Sequence, residues 1–326
     1  MPKNGKATII LEALRRFPNL PSRSIARYIL DTNGVLFDNN LETIRTRIRY
    51  YCGQSGEHNR NKLLDTSCIR DSIISQPKTW RTTRTTYELN IGKWLVLSDM
   101  HIPFHEPLAV EAAVMYGKKA KVTGVFLNGD FQDCSALGIW HTRKRDWMAE
   151  VETTIDMLDW LRKQFAKAEF VYKPGNHEYR LPRYYVSNAP ELVESPVAAM
   201  ETHLDFEGRG IEFLDYHQIV RAGKLPIIHG HEVRNLDSAV NPARGLYLRA
   251  KSFAACSHCH RTSMHTERDI NGKIMTTWSF GCLCDLSPDY WPVSNNWNHG
   301  FAIIDVEKNG DFEVNNLRIL PSGEVV

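Results

Sequence analysis

The sequence predicts an α/β domain preceded by a small all-α domain, and three observations lead there. From Trp94 onward, short apolar runs stop repeatedly at polar clusters. A long helical stretch separates two of those runs, while the first 60 residues show only helical stripes. Charge divides the chain in the same place. Residues 1–90 hold 15 Lys and Arg against 8 Asp and Glu, whereas the remainder holds 25 against 30, so a basic unit precedes an acidic one. The expected organisation is a helical domain over 1–60, a linker over 61–92 and a larger domain over 93–326.

In the first unit, "ATIILEALRRF" places Ile10, Leu11, Leu14 and Phe17 on one helical stripe, which Pro18 and Pro21 interrupt. Ser22 is positioned to cap "SRSIARYIL", where Ile25, Ala26 and Ile29 share a face, and Asn33-Gly34 marks a turn. Asn40 then caps "LETIRTRIRYY". There Ile44, Ile48 and Tyr51 face inward, and Arg45, Arg47 and Arg49 lie off the apolar stripe. Three short helices ending in a basic one are similar to a helix-turn-helix module whose last helix enters a DNA groove. A three-helix protein-docking domain with a solvated basic face fits the same pattern. "CGQSGEHNRNK" extends the basic surface, and residues 66–90, rich in Ser, Thr and Arg, read as a connection.

The second unit opens with "KWLVLSDMH", followed by "VTGVFLNGDFQD". The helix "WMAEVETTIDMLDWLRKQF" precedes "EFVYKPGNHEYR", and then come "KLPIIHGHE" and "KSFAACSHCHR". Strand, polar cluster, helix, strand is the grammar of a sheet whose chemistry sits at the strand ends. Any one Asp or His after a strand is ordinarily a turn residue. Together, Asp99, His101, Asp130, Asn176, His229, His258 and His260 supply seven nitrogen and oxygen donors, each directly after a strand. Carboxylate and imidazole suit Mn, Fe or Zn, and two ions need about seven protein ligands when one carboxylate bridges them.

Composition narrows the classes. The chain has 326 residues, 42% hydrophobic and 24% charged, which is ordinary for a globular protein with a sizeable core. No apolar run approaches the roughly 18–20 residues that cross a bilayer, so no membrane partner is expected. "MPKNGKATIILEALRRF" lacks a signal-peptide cleavage pattern, so the expected location is cytoplasmic. Seven cysteines, an odd number in a long chain, read as reduced thiols.

"DMH", "GDFQD", "GNHE", "HGH" and "SHCH" resemble, in order, the five blocks of calcineurin-like metallophosphoesterases, over residues 94–261. The resemblance implies a two-sheet sandwich flanked by helices, and an enzyme that hydrolyses phosphate esters with two divalent ions. Mn2+ stands first among those ions, with Fe, Zn, Mg and Ni as alternatives. It implies that Asp99, His101 and His260 hold one ion, that Asn176, His229 and His258 hold the other, and that Asp130 bridges. A metal-bridging hydroxide would attack phosphorus in line. His177 would face the substrate, oriented by Asp133, while His231 is the lesser candidate of its pair. Ser257 stands where the family has Gly, which asks that turn to accept a side chain.

Several residues stay open between two readings. Cys256, Cys259, Cys282 and Cys284 could assemble a structural zinc site, although buried free thiols fit better because His258 and His260 interleave with them. His105, His141 and His265 belong to the cleft rim or the surface. Arg180 is the candidate for a substrate phosphate, with Lys144 and Arg145 either contacts or a solvated face. "GDFQDCS" puts Cys134 where the protein-phosphatase branch carries Arg, and the double-His ending is more typical of phosphodiesterases and nucleases. The expected activity is therefore a phosphodiesterase or nuclease acting on DNA. The alternative is a phosphomonoesterase or small-nucleotide phosphodiesterase whose N-terminal module binds protein. A non-catalytic descendant of the fold is disfavoured by the full ligand set.

Overall fold

The computed structural model describes residues 5–52, 85–138, 146–288 and 295–326. The chain divides into two compact units, Met1–Thr82 and Thr83–Val326. In the first, helices α1 (Gly5–Arg16), α2 (Ser22–Asn33) and α3 (Leu41–Tyr51) surround a core of Ile10, Ala13, Ile25, Ala26, Ile29, Phe37, Ile44 and Ile48. Asn40 caps α3 as expected, its side chain accepting from the Thr43 amide at 3.0 Å. Ser22 does not cap α2. Pro21 stands in that position, without a side-chain hydrogen bond, and Ser22 is the first helical residue. Asn33-Gly34 is not the turn either: Gly34–Phe37 continues as a 3-10 segment, and Asp38 and Asn39 reverse the chain in left-handed conformations. Arg45 pairs with Glu42 at 3.2 Å, whereas Arg47 is exposed. Residues 53–84, which hold most of the expected linker, lie outside the described residues.

The second unit is built on two mixed sheets of six strands. The first sheet runs β12 (Phe312–Arg318), β11 (Gly300–Val306), β2 (Gly92–Leu97), β3 (Gly124–Asn128), β4 (Glu169–Lys173), β5 (Glu212–Phe213). The second runs β1 (Thr86–Glu88), β6 (Ile219–Ala222), β7 (Leu225–Ile227), β8 (Ala254–Cys256), β10 (Ile274–Ser279), β9 (Ser263–Arg268). This is the sandwich the motifs implied. Strand β1 falls inside the stretch read as linker, and its parallel register with β6, Thr86 opposite Ile219, makes it a sheet edge.

The apolar runs of β2, β3 and β4 have two buried faces, which is why they read as continuous rather than alternating. Leu95, Leu97, Val125, Leu127, Phe170 and Tyr172 point to α4 (Pro107–Ala120) and α5 (Trp147–Gln164), meeting Ala113, Val114, Leu158 and Leu161. Trp94, Val96, Phe126 and Val171 point the other way, to Val220, Ile227, Ala255 and Trp278 of the second sheet. Burying each large side chain contributes roughly 1.5–3 kcal/mol. Parallel β2, β3 and β4 need crossovers, and α4 and α5 supply them, so the loops after the three strands emerge at one edge. Short helices α6 (Arg180–Asn188), α7 (Met200–Leu204) and α8 (Pro242–Ala250) complete the described residues of this unit.

Asn128 fastens the sheets together where the loops converge. Its side-chain amide donates to the Ile228 carbonyl at 3.0 Å and to Ser257 Oγ at 2.9 Å. Ser257 is buried and does not adopt a left-handed backbone, so the departure from Gly costs no strain and provides this acceptor.

Candidate metal centre

The loops after β2 and β3 bond to each other through main chain. The amides of Asp99, His101 and Ile102 donate to the carbonyls of Gly129, Asp130 and Phe131 at 3.1, 2.9 and 2.9 Å. A Cβ on Gly129 would collide with the His229 ring, and Gly129 takes a φ of +83°, so glycine is required there. Asp99, His101, Asp130, His258 and His260 all hold left-handed φ values between 48° and 66°. Such backbone costs about 1–2 kcal/mol per residue for L-amino acids, and it concentrates where side chains must be aimed at a common point.

Six of the seven sequence-derived candidates meet, and the seventh, Asn176, precedes His177, whose amide donates to Asp130 Oδ1 at 2.9 Å. His260 Nε2 lies 3.2 Å from Asp99 Oδ1 and 3.1 Å from His101 Nε2. Asp130 Oδ2 lies 3.2 Å from His229 Nε2, 3.9 Å from His101 Nε2 and 4.0 Å from His258 Nδ1, so it sits between the two groups. Two ligand-type atoms, Asn176 Oδ1 and His258 Nδ1, are buried without a close partner, and two more, Asp99 Oδ1 and His229 Nε2, meet only an ion-pair partner at 3.2 Å. Leaving a buried polar atom unsatisfied costs about 1–3 kcal/mol, and the clusters His101/Asp130/His177 and Asp130/His229/His258 form a cradle whose donors fit divalent cations.

The charges agree with that. Burial alone would raise the Asp130 carboxyl, but His229 and His177 beside it outweigh burial and hold it well below the usual range. Asp99 is lowered in the same way, burial being overcome by His260 and His229. Burial would lower His229, yet Asp130 and Asp99 raise it to about 10. A divalent cation bound at His229 Nε2 would take the place of a proton there, so its uptake would be favoured as pH rises.

The remaining candidates lie alongside. His177 is anchored by its amide to Asp130 Oδ1 at 2.9 Å, and its Nδ1 donates to the Asp133 carbonyl at 2.9 Å. The Asp133 carboxylate makes its shorter contact with His101 Nδ1, at 2.9 Å, and stands 3.3 Å from His177 Nδ1. It therefore orients both rings. Arg180 donates to the Asp133 carbonyl at 3.0 Å and to His177 Nε2 at 3.1 Å, so its guanidinium occupies the second nitrogen of that ring. His231 is pushed down to about 4 by burial and contacts Glu232 at 3.5 Å, beside the group rather than in it. His105 bridges to the Cys284 segment, His265 pairs with Glu267, and His141, Lys144 and Arg145 lie outside the described residues.

Three functional residues escape sequence reasoning. Glu178, fully buried, accepts from the amides of Asp130, Phe131, Gln132 and Gly175 and from the Tyr172 hydroxyl, all within 3.1 Å. It locks the "GDFQD" loop to the "GNHE" loop. Glu232 accepts from the His229 and Gly230 amides and from the buried Lys173 ammonium at 2.8 Å, fixing the His229 loop. Glu178 closes the "GNHE" block and Glu232 stands one position past "HGH", but nothing in the sequence assigns either acid to main-chain amides. The third is Cys284, grouped with His101 and His260 such that one ligand atom from each lies within 4.8 Å of the others. The six described cysteines are free, and Cys256, Cys259, Cys282 and Cys284 do not gather as one metal group among the described residues. No helix of the described residues is long and apolar enough to cross a membrane.

No family model matches the chain, and no curated protein matches it. Solved structures it is similar to include Vps29 of Chaetomium thermophilum, at 11% identity over 72% of this chain and 94% of that one, with a TM-score of 0.37. A dimetal phosphatase from Danio rerio aligns at 11% identity over 69% of this chain and 96% of its own, with a TM-score of 0.36. The nuclease MPE of Pseudomonas putida aligns at 12% identity over 69% and 87%, with a TM-score of 0.29.

Proposed function

We propose that this chain is a two-metal phosphodiesterase that acts on DNA. The observation that carries the reading is the buried cluster of Asp and His ligand atoms gathered around Asp130, with His101 on one side and His229 and His258 on the other. Asp99, His101 and His260 would hold one ion, and Asn176, His229 and His258 the other, with Asp130 shared. When bound, the two ions supply positive charge at the phosphoryl oxygens and an activated water at neutral pH. The protein residues do the rest. Arg180 positions the phosphate anion through its guanidinium. His177, with Nδ1 committed to the Asp133 carbonyl, would offer Nε2 to the leaving oxygen or a phosphoryl oxygen once Arg180, which donates to that nitrogen at 3.1 Å in this structure, turns to the phosphate. Asp133 keeps the His101 and His177 rings in register.

The test is an activity panel with Mn2+, Fe2+, Zn2+, Mg2+ or Ni2+. Its substrates are bis-p-nitrophenyl phosphate, p-nitrophenyl phosphate, cyclic nucleotides, and single- and double-stranded DNA. Chelator-sensitive cleavage of the diester and of DNA is expected; a chain inert towards every substrate with every ion would end the proposal. His177→Ala should lower turnover by about 10²–10⁴-fold, the usual contribution of a positioned acid or base, while keeping stoichiometric metal by elemental analysis.

DNA targeting is assigned to the N-terminal unit, where Arg47 and Arg49 stand on the exposed side of α3 with Arg45 partly covered. Replacing all three by Ala in the full-length chain should lower affinity for random duplex in a low-salt anisotropy titration. It should also flatten the salt dependence, because each neutralised phosphate releases counterions. Hydrolysis of the small diester should be unaffected. One observation favours the second reading, in which this unit docks protein and the substrate is a small phosphate ester. Arg45 already spends its charge on Glu42, and Val35 and Leu36 are exposed. That reading requires unchanged DNA affinity in the triple variant.

A further inference from the structure

Three histidines of the centre present Nε2 to the ion positions, and each has its far nitrogen held by a different group. His101 Nδ1 meets the Asp133 carboxylate at 2.9 Å, and His229 Nδ1 meets the Asn128 carbonyl at 2.7 Å. His260 Nδ1 meets the sulfur of Cys284 at 3.8 Å. A ligand imidazole ordinarily donates its second N–H to a carboxylate, a carbonyl or water, and that bond fixes the ring and raises its basicity. We propose that Cys284 is the positioning residue for His260, and thereby sets how tightly the ion at Asp99, His101 and His260 is held. The inference rests on the two-metal reading above.

The segment carrying the thiol is built to place it. Its main chain is bonded on both flanks to the loop that bears Asp99 and His101. The Leu283 amide donates to the Asp99 carbonyl at 3.1 Å, the Glu106 amide to the Leu283 carbonyl at 2.8 Å, and the Asp285 amide to the Phe104 carbonyl at 2.7 Å. His299 Nε2 meets the Cys284 carbonyl at 2.9 Å. None of these bonds uses the sulfur, so the fold does not need a thiol at this position. The neighbouring Cys282 has a further partner, its thiol lying 3.6 Å from the Asn298 carbonyl, and it also contacts the His260 ring and the Cys284 thiol. Trp297 packs its ring 4.1 Å from that of His260, centroid to centroid, closing the side that the thiol leaves open. Sulfur is a weak acceptor, so His260 is the most loosely tethered of the three rings.

The test is cobalt binding to the full-length metal-free chain, followed by calorimetry and by the d–d absorption of each site. Wild type is expected to take up two ions. Cys284→Ala should weaken one of the two sites by about 10–100-fold, the usual cost of removing such a tether, and leave the other unchanged. Cys284→Ser, which keeps an acceptor, should recover most of the loss, and Cys52→Ser, in the N-terminal unit, should match wild type. The thermal midpoint of metal-free Cys284→Ala should equal that of wild type. Two unaltered sites in Cys284→Ala would overturn the inference alone, as would equal loss at both sites accompanied by a lowered thermal midpoint. A wild-type chain that binds fewer than two ions would overturn the two-metal reading and the inference with it.

Discussion

Asp130→Asn should take the chain from two bound ions to one or none and lower diester turnover by at least about 10³-fold, since a shared metal-ion clamp is worth several kcal/mol and each 1.36 kcal/mol is a factor of ten. Among the described residues, this carboxylate is the one group within 4.0 Å of His101, His177, His229 and His258 together. An amide has the same size but one neutral donor in place of a charged acceptor, so it cannot serve two cations. The fold should tolerate the change, because the carbonyl oxygen of the substituted side chain can still accept from the His177 amide. Elemental analysis, initial rates and a melting curve on the same preparation check all three statements. Retention of two tightly bound ions would remove Asp130 from its assigned place between them.

Glu178→Ala should be the most destabilising single change near the centre. The substitution strands four main-chain amides and a tyrosine hydroxyl that share one buried carboxylate. At about 1–3 kcal/mol per orphaned donor, with water refilling part of the space, the loss is on the order of 3–5 kcal/mol, a large fraction of the 5–15 kcal/mol typical of a folded chain. For a unit of this size that corresponds to a fall of roughly 10 °C or more in melting temperature, measurable by circular dichroism. Metal uptake should fail as well, because Asp130, Asn176 and His177 stand on the two loops that Glu178 joins. Glu178→Gln keeps the shape and one acceptor oxygen, so it should lie between Ala and wild type. A Glu178→Ala protein with wild-type melting would show that the loops are held by their other bonds.

The candidate ligands were legible because metal chemistry admits few residue types and the fold delivers them at strand ends. Asp99 and His229 each follow an apolar run directly. Glu178 and Glu232 were not legible. Their partners are amides 48 residues away or in the adjacent turn, and an acid that bonds backbone looks in sequence like any solvated acid. Lys173 is a similar case: its place at the end of β4 suggests solvent, yet it is buried against Glu232. The sandwich itself followed from the resemblance, but the strand order did not follow from periodicity. β11 pairs with β2 across some 200 residues of chain, and a period of two fixes faces without naming neighbours. The β9–β10 hairpin, turning at Asn271-Gly272, carried an ordinary signal that the ligand blocks overshadowed.

The left-handed backbone at Asp99, His101, Asp130, His258 and His260 also bears on how this chain drifts over generations. Glycine at any of the five positions would relax the main chain and destroy the centre, so foldability and chemistry pull those codons in opposite directions. A lineage released from the need to hydrolyse phosphate esters would lose these side chains first and keep the sandwich. On the proposed two-metal reading, these five side chains stand where glycine would fold with less strain, so only the chemistry of the centre favours keeping them.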